Sequence, residues 1–208
     1  MNALAHILNH KIVAILRGAN PKDVLKIVEA LHRGGVQVLE ITLNSPSALS
    51  LIETIHGRLG DHLLVGAGTV MSAAEAASAV SAGAKFIISP MVEPGTIRQT
   101  KDLGAVSIPG AFSPTEIATA YAQGADIIKL FPATLGPDYI KNLRGPFPDI
   151  PFMPTGGINL DNIRAYQQAG AVAFGIGTAL ADTKRAITGE YLAQITEHAR
   201  KLVQAVNT

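Results

Sequence analysis

The chain has no cysteine, which excludes disulfides, thiolate nucleophiles and zinc ribbons at once. It also has little charge. Only 16% of residues are Asp, Glu, Lys or Arg, and 17 basic side chains against 16 acidic ones leave a formal net charge of +1. No run of like charges stands out, so there is no electrostatic footprint for nucleic acid or an anionic membrane surface. No apolar stretch approaches the roughly 18 residues that a bilayer span needs. Residues 1–11 lack the basic-then-apolar layout of a signal peptide, and a cytoplasmic protein is expected. What the chain does have is apolar side chains, 48% of its 208 residues. That composition excludes a disordered or polyelectrolyte protein, and the length fits one domain spanning 1–208.

Glycine is placed with a period. Gly35, Gly60, Gly83, Gly104, Gly124, Gly145 and Gly170 each precede a short apolar run, at spacings of 25, 23, 21, 20, 21 and 25 residues. One strand plus one helix with short connections has that length. Glycine suits a helix C-terminus, because it enters the left-handed conformation without a steric penalty. The runs are continuous in apolar character, as strands buried on both faces should be. Strands are expected at 12–16, 36–42, 63–66, 85–89, 105–109, 126–131, 150–154 and 171–176. The segments between them carry helix starts: Asn20-Pro21, Ser45-Pro46 and Ser113-Pro114 place a capping residue before a proline, and Ser72 with Glu75 reads as a capping box. A short helix at 2–9 leads the set and a longer one, about 189–206, closes it. Eight alternating units with right-handed crossovers predict an α/β fold, a (β/α)8 TIM barrel with a short extra N-terminal helix. An open doubly wound sheet is the rival, and the even period argues against it.

Chemistry in such barrels sits where strands end. Two residues there are chemically odd. Lys129 lies within Asp126-Ile-Ile-Lys-Leu-Phe131, and a period of two puts Ile127, Lys129 and Phe131 on one face. Burial lowers a lysine pKa and leaves a neutral amine able to attack a carbonyl. The alternative is a lysine that snorkels to the rim or forms a structural ion pair. Lys11 and Lys85, by contrast, begin strands at the opposite mouth. Glu40 is the one carboxylate expected inside a strand, either as a buried ion-pair partner of Lys129 or Arg17, or as a proton shuttle beside the lysine. Thr155-Gly156-Gly157 and Gly175-Ile-Gly177 end the last two expected strands, where short backbone-exposing loops cradle a phosphate with main-chain N–H groups. Arg17 ends the first strand, and its planar fork matches a carboxylate. Thr69 and Ser89-Pro90 end the third and fourth. His6 and His10 are expected on the surface of the leading helix, and none of the six histidines stands at a strand end, so no zinc ligands are foreseen.

These residues carry a likeness. Val-Leu-Glu40-Ile-Thr, Val-Gly-Ala-Gly-Thr69-Val, Ile-Ile-Ser-Pro90, Ile-Pro-Gly110, Ile-Lys129-Leu-Phe-Pro-Ala and Pro-Thr155-Gly-Gly-Ile, in order from residue 11 to about 180, resemble the 2-keto-3-deoxy-6-phosphogluconate (KDPG) aldolases. The resemblance implies a class I aldolase on a (β/α)8 barrel, usually a homotrimer. Such an enzyme splits a phosphorylated 2-keto-3-deoxy sugar acid into pyruvate and glyceraldehyde 3-phosphate without metal or cofactor, in Entner–Doudoroff carbohydrate metabolism. Carried over, Lys129 is the Schiff-base lysine and Glu40 the general acid/base. Arg17 and Thr69 hold the pyruvate end, which Pro90 shapes. Thr155, Gly156, Gly157 and the Gly175–Gly177 turn hold the phosphate. One departure stands out: Asn44 occupies a position where many members have arginine. Asn44-Ser-Pro, Ile-Leu-Arg17-Gly and Gly136-Pro-Asp-Tyr-Ile-Lys are similar to the sister enzymes for the galactonate epimer, whereas Gly145-Pro-Phe-Pro and Pro-Thr-Gly-Gly are similar to the gluconate type. Related activities on 4-hydroxy-2-oxoglutarate or oxaloacetate also use imine chemistry. Two other readings compete. A pentose-phosphate epimerase or isomerase needs paired acid/base residues, often with a metal. A non-catalytic sugar-phosphate-binding barrel would keep Lys129 protonated.

Overall fold

The computed structural model describes residues 2–207, so Met1 and Thr208, the ends of the expected domain, lie outside the described residues. Helices and strands alternate. The chain runs through α1 (Ala3–His10), β1 (Ile12–Leu16), α2 (Pro21–Arg33), β2 (Val38–Thr42), α3 (Ala48–Leu59), β3 (Leu64–Gly68), α4 (Ala73–Ser81), β4 (Phe86–Ile88) and α5 (Pro94–Asp102). It continues through β5 (Val106–Ile108), β6 (Gly110–Ala111), α6 (Pro114–Ala122), β7 (Ile128–Leu130), α7 (Pro137–Leu143), β8 (Phe152–Pro154), α8 (Ile163–Gln168), β9 (Phe174–Ile176) and α9 (Gly189–Asn207). Six strands form a curled parallel sheet, a half-barrel, in the order β5-β4-β3-β2-β1-β9, and β6-β7-β8 form a second parallel sheet.

Among the described residues nine strands stand where eight are expected, and the cause is Pro109. Proline has no N–H for a ladder, so the run is interrupted there: Val106–Ile108, within the expected strand at 105–109, pairs with β4, and Gly110–Ala111, just past its end, pairs with β7. Several expected strands are also shorter than their apolar runs, since residues such as Val36 and Ile150 are buried without joining a ladder.

Helix starts mostly follow their local chemistry. Asn20 Oδ1 accepts from the Lys22 N–H, with Pro21 in the first turn. Ser113 and Glu116 form a full capping box. Ser72 Oγ accepts from the Glu75 N–H, but the Glu75 carboxylate reaches past Ser72 to the Met71 N–H, so only half of the expected box forms. Ser45-Pro46 does not start a helix. α3 begins at Ala48, and Ser45 Oγ instead accepts the Gly18 N–H at 2.8 Å and bonds the Thr42 hydroxyl at 2.9 Å. Five of the seven marker glycines take positive φ at helix ends, as at Gly83 (106°); Gly60 and Gly145 do not.

Alternation along the strands sorts the core into two layers. Val13, Val38, Phe86, Ile88, Val106, Ile108, Ile127, Met153 and Ala173 form the inner one, joined by Ile7 of α1. Ile12, Ala14, Leu16, Leu39, Ile41, Ile87, Phe152 and Phe174 face the helices. His6 and His10 are partly buried rather than fully exposed, with ring centroids 4.4 Å apart. Among the described residues no helix is long and apolar enough to cross a membrane.

Candidate active site

The inner face changes character towards the strands' C-terminal ends, where Glu40, Thr42, Lys129 and Thr155 are all buried. Glu40 has no exposed surface, and neither carboxylate oxygen has a hydrogen-bond partner among the described residues. Burial pushes its pKa up, opposed by the positive charges of Lys129 and Arg17. Its place depends on a neighbour without a side chain. A Cβ on Gly68 would lie 1.6 Å from Glu40 Oε1 and 2.2 Å from Cδ, so the carboxylate occupies volume that β3 leaves empty.

Lys129 is 5% exposed, in the middle of β7 between Gly110 and Met153. Burial pushes its amine pKa down; the Glu40 charge acts upward and the Arg17 charge downward. Lys129 and Glu40 therefore interact through space, without a salt bridge among the described residues. Ile127 joins the inner core and Phe131 follows on the same face, with Nζ 4.9 Å from its ring centroid. Lys11 and Lys85 have ordinary surroundings. Lys11 Nζ donates to the Val206 carbonyl at 2.9 Å, and Lys85 is exposed.

Beside this pair opens a cleft of about 290 Å³, lined by Arg17, Phe131, Thr155, Gly156, Gly157, Gly175 and Gly177, among others. Six of the ten expected site residues thus share one cavity wall. Lys129, Glu40, Thr69 and Pro90 lie outside that lining, and Phe131, part of it, links it to Lys129. Thr155 is 5% exposed and bridges to Gly175, where a Cβ would come within 2.3 Å of the threonine hydroxyl. Gly175 is therefore a spacing residue inside β9, and the expected Gly175–Gly177 turn is a strand end, with neither glycine at positive φ. Gly156 (φ 92°) and Gly157 (φ 77°) do form a turn that L-side chains rarely enter. Among the described residues, the N–H groups of Gly156, Gly157, Ile158, Thr178 and Ala179 donate to no backbone or side-chain acceptor, a supply of donors suited to an anion.

Arg17 is exposed, and Nη1 donates to Asn44 Oδ1 at 3.2 Å. Its backbone is tied on both sides: Thr183 Oγ donates to the Arg17 carbonyl at 2.6 Å, and the Gly18 N–H reaches Ser45. Thr69 takes φ 57°, an unfavourable conformation for a β-branched residue and a form of backbone strain common at functional sites. Pro90 packs over β6, where a Cβ on Gly110 would meet its carbonyl at 2.5 Å.

Sequence reasoning missed Asn159, Thr178 and Thr183 in the cleft wall, and Gly68 beneath Glu40. Thr178 directly follows Gly177 and was within reach of a longer strand-end window. Thr183 sits in a stretch with no element and carried no local signal. Among the described residues, no three His, Asp or Glu side chains cluster as metal ligands.

Known proteins match this arrangement. The family model described as KDPG and KHG aldolase matches residues 4–198. A probable 2-dehydro-3-deoxy-6-phosphogalactonate aldolase of Rhizobium meliloti is 38% identical over 175 residues, 83% of this chain and 82% of that protein. A 2-dehydro-3-deoxy-phosphogluconate aldolase of Pseudomonas aeruginosa is 38% identical over 158 residues, 75% of this chain and 71% of that protein. The KDPG aldolase of Legionella pneumophila, solved with pyruvate captured at low pH as a covalent carbinolamine intermediate, superposes with a TM-score of 0.84. It is 30% identical, covering 96% of this chain and 97% of that one. A buried lysine and carboxylate beside an amide-rich cleft thus sit on a sequence matched almost throughout, and the chain belongs to the KDPG and KHG aldolase family.

Proposed function

We propose that the chain is a class I, metal-independent aldolase cleaving 2-dehydro-3-deoxy-6-phosphogluconate to pyruvate and D-glyceraldehyde 3-phosphate. The observation that carries this reading is Lys129, a nearly inaccessible amine with a lowered pKa, coupled through space to a fully buried carboxylate that has no hydrogen-bond partner among the described residues. A structural ion pair would bring the two into contact; here they are held apart. We read the two sheets as one closed (β/α)8 barrel forming a single domain. Its support is the continuity of β5 and β6 across Pro109 and the Thr155–Gly175 bridge at the other seam.

In this reading the neutral Lys129 Nζ attacks the C2 ketone, and the protonated Glu40 gives its proton to the carbinolamine hydroxyl, which leaves as water to give an iminium. Glu40, directly or through a water, takes the C4 hydroxyl proton. The C3–C4 bonding pair flows to the iminium nitrogen, releasing glyceraldehyde 3-phosphate and leaving an enamine. Glu40 returns a proton to C3, and water then hydrolyses the iminium to pyruvate and free amine, the released proton going back to Glu40. Arg17 anchors the carboxylate, with Thr69 and Pro90 along the pyruvate end. Thr155, Gly156, Gly157, Gly175 and Gly177 hold the phosphoryl end. Fixing both ends sets C2 against the amine, and such positioning is worth roughly 7–11 kcal/mol in well-oriented reactions.

A second reading, the same reaction on the galactonate epimer, is favoured by Asn44. Its side chain accepts from Arg17, leaving Arg17 as the cation at that corner. The two named relatives at 38% identity divide between the epimers. Cleavage of 4-hydroxy-2-oxoglutarate would be a side activity. A homotrimer in the cytoplasm completes the proposal. Parallel pyruvate-release assays, coupled to lactate dehydrogenase, test it: at least one epimer should turn over, with gluconate preferred. No release from either would favour a non-catalytic sugar-phosphate-binding barrel.

A further inference from the structure

Asn162 stands at the start of α8 but does not cap it: its side chain makes no bond into the helix. Both ends of the carboxamide turn back instead. Oδ1 accepts the Asn159 N–H at 2.9 Å, and Nδ2 donates to the Gly157 carbonyl at 2.8 Å. An N–H can be met only by the oxygen, which fixes which way the amide faces. The side chain thus spans the loop that follows β8, and it lies outside the lining of the cleft that Gly156, Gly157, Ile158 and Asn159 form.

The peptide between Gly157 and Ile158 is planar, and in a trans peptide the C=O and N–H point in opposite directions. Drawing the Gly157 carbonyl towards Asn162 therefore turns the Ile158 N–H away from it. That N–H, with those of Gly156 and Gly157, has no acceptor among the described residues, whereas the Asn159 N–H is already taken by Asn162. Two consecutive glycines at φ 92° and 77° can take up many backbone orientations. Nothing in the glycines themselves selects one, so a side chain outside the turn must.

We propose that Asn162 is a positioning residue for the phosphoryl end of the substrate, holding the Gly157–Ile158 peptide so that the turn's unpaired N–H groups converge on the anion. This rests on the reading that the cleft takes the phosphoryl group. Pyruvate carries no phosphoryl group and does not need the turn.

The test separates these layers. In the wild type, inorganic phosphate should inhibit cleavage competitively; no competition would remove the phosphoryl cleft and the proposal together. Given competition, Asn162→Ala should raise KM for the phosphorylated substrate about tenfold, the effect of losing one net hydrogen bond. The phosphate inhibition constant should rise in step, and kcat should stay within a small factor. Borohydride trapping of pyruvate should keep its wild-type rate. Asn162→Asp keeps the acceptor for the Asn159 N–H and loses the donor to Gly157. It should behave likewise, and it carries the test should the alanine variant fold poorly. Unchanged KM in a folded variant, or pyruvate trapping slowed as much as cleavage, would overturn the assignment.

Discussion

A carboxylate without a hydrogen-bond donor or a solvent-facing surface favours its protonated form, and Glu40 is such a group among the described residues. The folded state then binds its proton more tightly than the unfolded state, so stability falls as pH rises. The loss begins near the ordinary value of 4.5 and levels off above the raised one. Glu40→Gln removes the charge and keeps the shape. It should unfold at a higher temperature than wild type at neutral pH and converge with it below pH 4.5, while turnover falls by about 10²-fold or more, the usual scale for a general acid/base. Calorimetry across pH beside a pyruvate-release assay checks both halves. A variant that is no more stable at pH 7 would mean that a donor reaches the carboxylate in solution. At this scale the sequence was legible where a residue type was out of place, as with Lys129 and Glu40 inside apolar strands. It was silent where a residue works through a distant partner: nothing local to Thr183 shows that its hydroxyl holds the Arg17 carbonyl.

Between neighbouring strands, register decides what a small residue does. β2 and β3 pair so that Glu40 faces Gly66 and Thr42 faces Gly68. A Cβ at residue 66 would strike the Phe86 ring at 2.5 Å, whereas one at residue 68 would strike the Glu40 carboxylate. Two glycines of one strand thus serve different ends. Gly66→Ala should destabilise by about 1–3 kcal/mol, the usual range for overpacking a core, with catalysis intact in the folded fraction. Gly68→Ala should instead displace the carboxylate and lower turnover by about 10²-fold, since a shift near 1 Å at the chemistry can cost that much. Thermal melts and kcat for the two variants give the comparison, and wild-type turnover in Gly68→Ala would show that the carboxylate's position does not matter. The glycine period disclosed the alternation of elements, because helix ends have a backbone requirement that only particular residues meet. It could not disclose these two contacts, which exist only once the strands are paired. Ser45 is the converse case: its local pattern reads as a helix cap, and the tertiary bonds to Gly18 and Thr42 outweigh it.

For the molecule as a whole, the strand ends bring an electrostatic pair and an amide-lined cleft to one face, while Ile7 of α1 joins the inner core. The order of the units was readable because each repeats the same local chemistry. The interruption at Pro109 was not anticipated, although proline's missing N–H is a local property. The epimer preference has local marks that point both ways, Asn44-Ser-Pro to the galactonate type and Gly145-Pro-Phe-Pro to the gluconate type, because stereochemistry at C4 depends on side chains brought together by the fold. Everything in the account depends on Lys129 being a neutral amine able to bond covalently with a keto acid. The direct measurement is to treat the protein with pyruvate and borohydride and to locate the label by peptide mass spectrometry, following its rate with pH. The account predicts one irreversible label, at Lys129, absent from Lys129→Ala, with the amine limb of the profile below the ordinary lysine value of 10.5. Equal labelling of Lys129→Ala, or a label placed on another lysine, would contradict it.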